Sequence, residues 1–213
     1  MKILCFDTTT RDLVVGLYEE REGAPRISGE TVPDCLKGHS EILLPTVDRL
    51  LEGAGLKLPE IDAFAACVGP GSFTGIRIGL VTMRTFCQVT GKPGIPVNSL
   101  EYRAYHVPCQ NEKCVCLDAM QNKVYYALYE GEREISAPAW CEKAELKDRI
   151  PAGAKVFSDT PLEIAFEGYG ELHARLAQFA FDRRERAQGY EGIAPLYLRK
   201  CQAEEQLAEK RDA

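Results

Sequence analysis

Two short stretches combine residue types suited to phosphate chemistry. Residues 69–75 read GPGSFTG, and residues 7–10 read Asp7-Thr8-Thr9-Thr10. A glycine-rich loop between a strand and a helix can present backbone N–H groups to an anion. Gly69 and Gly71 permit a sharp turn with positive φ, Pro70 fixes it, and Ser72 or Thr74 caps the following helix. Neither named motif fits. The Walker A pattern wants a lysine after its second glycine, where Ile76 follows Gly75. The dinucleotide fingerprint wants its third glycine one residue earlier. The loop therefore reads as a generic anion site or as a plain turn. Asp7 has the same two readings: a carboxylate for a magnesium-bound water, or one that closes a hairpin with the threonines. Asp7, Thr8, Gly69, Gly71, Ser72 and Thr74 are the candidate anion- or nucleotide-proximal set.

Metal chemistry finds fewer residues. The chain has nine cysteines and three histidines. Cys114 and Cys116 form a C-x-C, and Cys109 and His106 are near, but no second knuckle follows. An odd cysteine count with several thiols inside predicted elements reads as reduced, buried thiols. His39, His106 and His173 stand apart, and a catalytic metal needs about three protein ligands. No metal and no cofactor is expected, and His39 reads as a helix-start side chain bonding to backbone.

The elements that would hold these residues follow from periodicity. Residues 2–6 and 13–18 predict an antiparallel hairpin across the DTTTRD turn, with a weaker strand at 26–32. In HSEILLPTVDRLLEGAG the apolar positions share one helical face, with Ser40 as the expected cap, Gly53 or Gly55 as the stop, and Pro45 as an awkward interior residue. Residues 61–68 predict a buried strand, 74–90 a helix ended by Gly91, and 95–98 a strand. Asn98 or Ser99 caps a helix from Leu100. Gly75 and Gly79 share a face and imply close approach of a neighbour, the sheet or the preceding helix. Ile76, Leu80, Met83 and Cys87 form a separate apolar stripe, which by itself reads as core. Further on, 114–118, 123–129 and 154–158 predict strands and 142–150 and 171–184 helices. The tail from Ala203 reads as a helix end or a frayed terminus.

The chain has 213 residues and a net charge of −6. An acidic chain binds nucleic acid poorly alone, because phosphate contacts supply most of that affinity. Arg183, Arg184 and Arg186 are the one basic cluster. No run reaches the ~20 apolar residues of a membrane span, and the N-terminus is too short in apolar residues for a signal peptide, so a cytosolic protein is expected.

The order of several motifs resembles the bacterial TsaB (YeaZ) family. ILCFDTTT, GHSEILLP, VGPGSFTGIRIGL, PVNSLE, the D-A-x-x-x-x-V-Y stretch from Asp118 to Tyr125, and PLYLR at 195–199 occur in sequence. The resemblance implies an α/β, actin-like (Hsp70 ATPase, ASKHA) fold of two small lobes, each a mixed sheet with flanking helices. It places the N-terminal lobe at 1–101, a reduced C-terminal lobe at 102–194, and the segment 195–213 back on the first lobe. It further implies an inactive paralogue, no enzyme itself. Such a subunit supports a TsaD-type enzyme in threonylcarbamoyl transfer to N6 of adenosine 37 of tRNAs reading codons that start with A. The expected partners are the TsaD-type subunit through the first-lobe helices, a TsaE-type ATPase in the larger complex, tRNA only through the complex, and a homodimer in isolation. On this resemblance Leu43, Val47, Leu50, Ile76, Leu80, Met83 and Arg84 are the expected interface. The alternatives are a stand-alone ATPase of the actin-like class and a metallopeptidase. Two departures stand out: the chain is somewhat short with a trimmed second lobe, and Met120 stands where an arginine is expected. Against the ATPase alternative, the first turn lacks the glycine of the D-x-G pattern with which the actin-like fold grips phosphate.

Overall fold

The computed structural model describes residues 1–35, 38–107 and 109–200, except for the side chain of His106. The first sheet holds β1 (Lys2–Asp7), β2 (Leu13–Arg21), β3 (Ala24–Val32), β4 (Ala63–Gly69) and β5 (Gly94–Asn98), in the order β3-β2-β1-β4-β5. The first three strands are an antiparallel meander, and β4 and β5 run parallel to β1. Parallel neighbours need crossovers, and two helices supply them. These are α1 (His39–Ala54) before β4 and α2 (Phe73–Thr90) before β5. Helix α1 ends where Gly55 adopts the left-handed conformation, and α2 ends likewise at Gly91. Pro45 lies inside α1 without breaking it, and Gly38 rather than Ser40 is its cap.

Helix α3 (Ser99–His106) leads to the second sheet, and the Asn98 side chain caps it through the Leu100 and Glu101 amides. That sheet holds β6 (Glu112–Asp118), β7 (Lys123–Glu130), β8 (Arg133–Glu142) and β9 (Lys155–Ser158), in the order β8-β7-β6-β9. The short helix α4 (Leu146–Arg149) precedes β9, and α5 (Leu172–Asp182) follows it.

The layers follow from the burial pattern. Both faces of β1 and β4 are buried, so these strands read as continuous apolar runs. Helices α1 and α2 cover one face, with Leu43, Val47, Leu80 and Met83 against Leu4, Phe6, Val15 and Phe64. The other face shares one core with α3, α5 and the inner face of the second sheet. The outer face of the second sheet packs Cys114, Cys116 and Cys141 beside Leu146 of α4. Helix α5 differs from the sequence division: it packs on the first sheet, where Tyr18 and Phe181 stack at 4.0 Å and Gly16 makes room for Ala177. Among the described residues no helix is long and apolar enough to cross a membrane.

Candidate functional site: the cleft floor and the outer helix face

The β1–β2 turn and the GPGSFTG loop meet at the base of a cleft of about 840 Å³ that opens between the two sheets. The glycines of the loop serve this meeting. A Cβ on Gly75 would collide with the Thr8 carbonyl, one on Gly71 with the Thr9 carbonyl, and one on Gly79 with Thr8 Oγ1. Gly71, at φ 156°, lies at the edge of the range that favours glycine. The close approach is fixed by hydrogen bonds. The Ser72 amide donates to the Thr9 carbonyl at 2.7 Å, and Thr8 Oγ1 donates to the Gly75 carbonyl at 2.7 Å. Ser72 is the helix cap, accepting from the Gly75 amide at 3.3 Å, whereas Thr74 is exposed. Two amides that could have faced an anion are thus engaged within the chain.

Asp7 is equally engaged. Its side chain has no exposed surface. One carboxylate oxygen accepts from the Thr9 amide at 2.8 Å and Thr9 Oγ1 at 2.6 Å. The other accepts from Tyr102 Oη at 2.7 Å and Arg103 Nη2 at 2.9 Å. Burial pushes the Asp7 pKa up, but the Arg103 charge and the Thr9 and Tyr102 donors reverse this and hold it below the usual range. Arg103 is fully buried as well; Nη1 donates to the Ser99 carbonyl at 2.8 Å, and the guanidinium lies over the Tyr102 ring at 4.5 Å. The hairpin reading of Asp7 therefore describes one of its oxygens. The ion pair to α3 is an addition the sequence reading missed. Its signal was present, since Arg103 falls at the inward helical spacing of Leu100, Ala104 and Val107, all buried.

The opposite wall is less closed. Asp118 and Asp159 line the cleft with Thr160 and Tyr125. Lys143 pairs with Asp118 at 3.2 Å, and the Asp118 amide donates to Asp159 at 2.9 Å. More than a third of Asp159 stays open to solvent, yet desolvation by the surrounding walls raises its pKa to about 6, against the nearby Arg103 charge.

The expected interface residues need correction. Leu43 (1% exposed), Val47 (2%), Ile76 (1%), Leu80 (5%) and Met83 (0%) are core. They face the first sheet because a stripe at 3.6-residue spacing looks the same whether a sheet or another chain covers it. Leu50 is half-buried, and Arg84 donates to the Ile193 carbonyl. What α1 and α2 expose instead is Leu44 (48%), Val81 (60%) and Val89 (68%). His39 begins α1 buried, and its Nε2 meets no hydrogen-bond partner among the described residues, so that nitrogen makes no backbone bond. The free Cys114 and Cys116 thiols lie 3.4 Å apart in the core; the hydrogen bond between them, together with burial, pushes the Cys116 pKa well up. Arg183 and Arg186 are engaged with Glu101 and Glu132, and Arg184 with the Phe181 carbonyl.

A meander followed by two parallel strands, its first turn packed against a glycine loop at the base of an interlobe cleft, defines the actin-like class. A sequence profile of the family described as "TsaD: tRNA N6-adenosine threonylcarbamoyltransferase" matches residues 28–163, and the chain belongs to that family. A tRNA N6-adenosine threonylcarbamoyltransferase of Methylorubrum populi is 39% identical over 120 residues, which is 49% of this chain and 35% of the relative. One of Novosphingobium aromaticivorans is 39% identical over 93 residues, 43% of this chain and 27% of the relative. The chain thus spans about a third of the length of these curated relatives. The whole-chain likeness is to YeaZ. YeaZ from Pseudomonas aeruginosa superposes with a TM-score of 0.70 at 28% identity, covering 92% of this chain and 99% of that one. A second structure, of a Pseudomonas aeruginosa protein with similarity to peptidase YeaZ, gives 0.71 at 28% identity, over 93% and 99%. The resemblance to the TsaB (YeaZ) family thus holds over nearly the whole chain.

Proposed function

We propose that this chain is a non-catalytic subunit that binds and supports a TsaD-type enzyme in threonylcarbamoyl transfer to N6 of adenosine 37 of tRNA. The observation that carries this reading is the self-satisfied cleft floor. Asp7, Thr8, Thr9 and Ser72 spend their hydrogen bonds on one another and on Arg103, leaving no open carboxylate at the turn for a metal-bound nucleotide. Among the described residues no group of three His, Cys, Asp or Glu side chains could hold a metal ion. The chain also superposes on YeaZ from Pseudomonas aeruginosa over 92% of its residues at 28% identity.

The partner docks on the outer face of α1 and α2, through Leu44, Val81 and Val89 with half-buried Leu50 and Ile78 at the margin. On α2, positions 78, 81, 85 and 89 recur at helical spacing and make one stripe. A TsaE-type ATPase and tRNA join through the complex, and the isolated chain pairs with itself through the same stripe. Co-purification with a TsaD-type relative tests this. Val81→Glu with Val89→Glu should abolish capture while changing stability by less than ~0.5 kcal/mol in denaturant titration. Capture that survives the double variant moves the interface elsewhere. Leu80→Glu or Met83→Glu should instead unfold the chain. The rival reading, an ATPase, rests on the cleft volume; micromolar ATP–Mg²⁺ binding with turnover by the chain alone would establish it and end the first.

A further inference from the structure

We infer that residues 193–199 form a strap across the cleft mouth, anchored firmly in the first lobe and latched to the second by Arg199. The firm end is built from core and backbone. Ile193 is 1% exposed and fills the space that a side chain on Gly94 would need. Arg84 donates to its carbonyl. The Leu196 amide donates to the Val68 carbonyl at 2.7 Å, at the end of β4, and its own carbonyl occupies the place of a Cβ on Gly69. The Tyr197 ring stacks on Phe73 at 4.4 Å, and Arg77 Nε donates to Tyr197 Oη at 3.3 Å. The first glycine of GPGSFTG thus makes room for the strap.

The far end is held differently. Beyond half-buried Leu198 at the edge of the shared core, Arg199 reaches the β6–β7 turn. It donates to the Ala119 carbonyl at 2.6 Å and to Gln121 Oε1 at 3.0 Å, and lies 5.3 Å from the Trp140 ring centre. That turn is itself costly. Met120, Gln121 and Asn122 have φ of 60°, 52° and 60°, and non-glycine residues rarely occupy the left-handed region in succession. The Arg199 side chain bridges two members of this turn and holds its shape. A second tie between the lobes sits at the opposite end of β7, where Arg183 pairs with Glu132 at 3.3 Å. Release at Arg199 would therefore open the cleft at one end of the sheet while the other end stays fastened. The strap acts as a gate, with α2, the β6–β7 turn and the cleft lining coupled through it.

Hydrogen–deuterium exchange on the intact chain tests it. In Arg199→Ala, peptides covering 119–123 and 196–200 should exchange about tenfold faster or more, the signature of local opening, with 2–7 and 63–69 unchanged. Arg183→Ala should accelerate 130–134 and leave 119–123 alone. Tyr197→Ala, at the firm end, should loosen 193–200 together with the first turn of α2. If Arg199→Ala leaves 119–123 and 196–200 as protected as before, there is no latch. If it speeds exchange throughout both sheets, Arg199 is a packing residue and the gate is refuted. Arg199→Lys, which keeps the charge and loses the forked contact, should show the same local pattern to a smaller degree.

Discussion

The floor of the cleft and the outer face of α2 are two sides of one short region, and they are finished in opposite ways. On the floor, the Asp7 carboxylate is fully engaged inside the chain: it meets Arg103, Tyr102 and Thr9, and the glycines admit the backbone of Thr8 and Thr9. On the outer face, Val81 and Val89 remain 60% and 68% exposed among the described residues. A buried polar cluster that satisfies itself gains no free energy by admitting a ligand, whereas an exposed apolar stripe gains by being covered. The contrast turns the reading of this helix from its phosphate-facing end to its solvent-facing side.

The strongest way to break that contrast is to open the floor. Arg103→Met leaves the Asp7 carboxylate buried without its cation, and should cost about 3–5 kcal/mol in urea titration. Adding Asp7→Asn should recover part of the loss, because the two residues act as a unit. Next comes the glycine contact. Gly75→Ala should destabilise by ~1–3 kcal/mol despite the better helix propensity, since the Thr8 carbonyl must move. Gly53→Ala, with nothing within 4 Å of the added carbon, should instead stabilise α1 by up to ~1 kcal/mol. Smaller again is the pH response. Asp7 has a depressed pKa when folded, so its contribution persists above the ordinary value of about 4 and is lost as pH falls through the lower folded value. Asp159 has the opposite sign. Its pKa is raised to about 6, so its contribution is complete below about pH 4 and is lost as pH rises toward 6. Thermal melts of Asp159→Asn should lack that decline. The smallest effect belongs to Arg186→Ala: both partners of its pair with Glu101 are partly exposed, at 39% and 22%, so the loss should stay within ~1 kcal/mol.

Much of the first lobe was legible because its signals are local. Periodicity located α2 within one residue at its start, and Gly55 and Gly91 ended their helices as left-handed caps. Strand β8 was missed. Its sequence, REISAPAWCE, carries Pro138 and several charges, which suit an edge strand with irregular register and disguise it as a loop. The core-facing stripe of α2 was legible as a stripe but not as to what covers it, because a sheet and a partner chain impose the same spacing. Helix α5 was found as a helix and grouped by chain position with residues 102–194, whereas it packs on the first sheet, because a chain that returns to earlier strands leaves no mark in local pattern. The Asp7–Arg103 pair spans 96 positions, a separation that spacing arguments do not reach. The tail from Ala203 lies outside the described residues.

One further consequence concerns light. The chain contains a single tryptophan, and Trp140 sits 43% exposed on β8 with Lys123 5.2 Å and Arg199 5.3 Å from its ring centre. Intrinsic indole emission from this protein therefore reports on the mouth of the cleft and is nearly blind to the five-stranded sheet. A melting curve followed by that signal would register movement of two cations around one ring. Far-ultraviolet dichroism, which follows the backbone, is needed beside it before any such curve is read as unfolding.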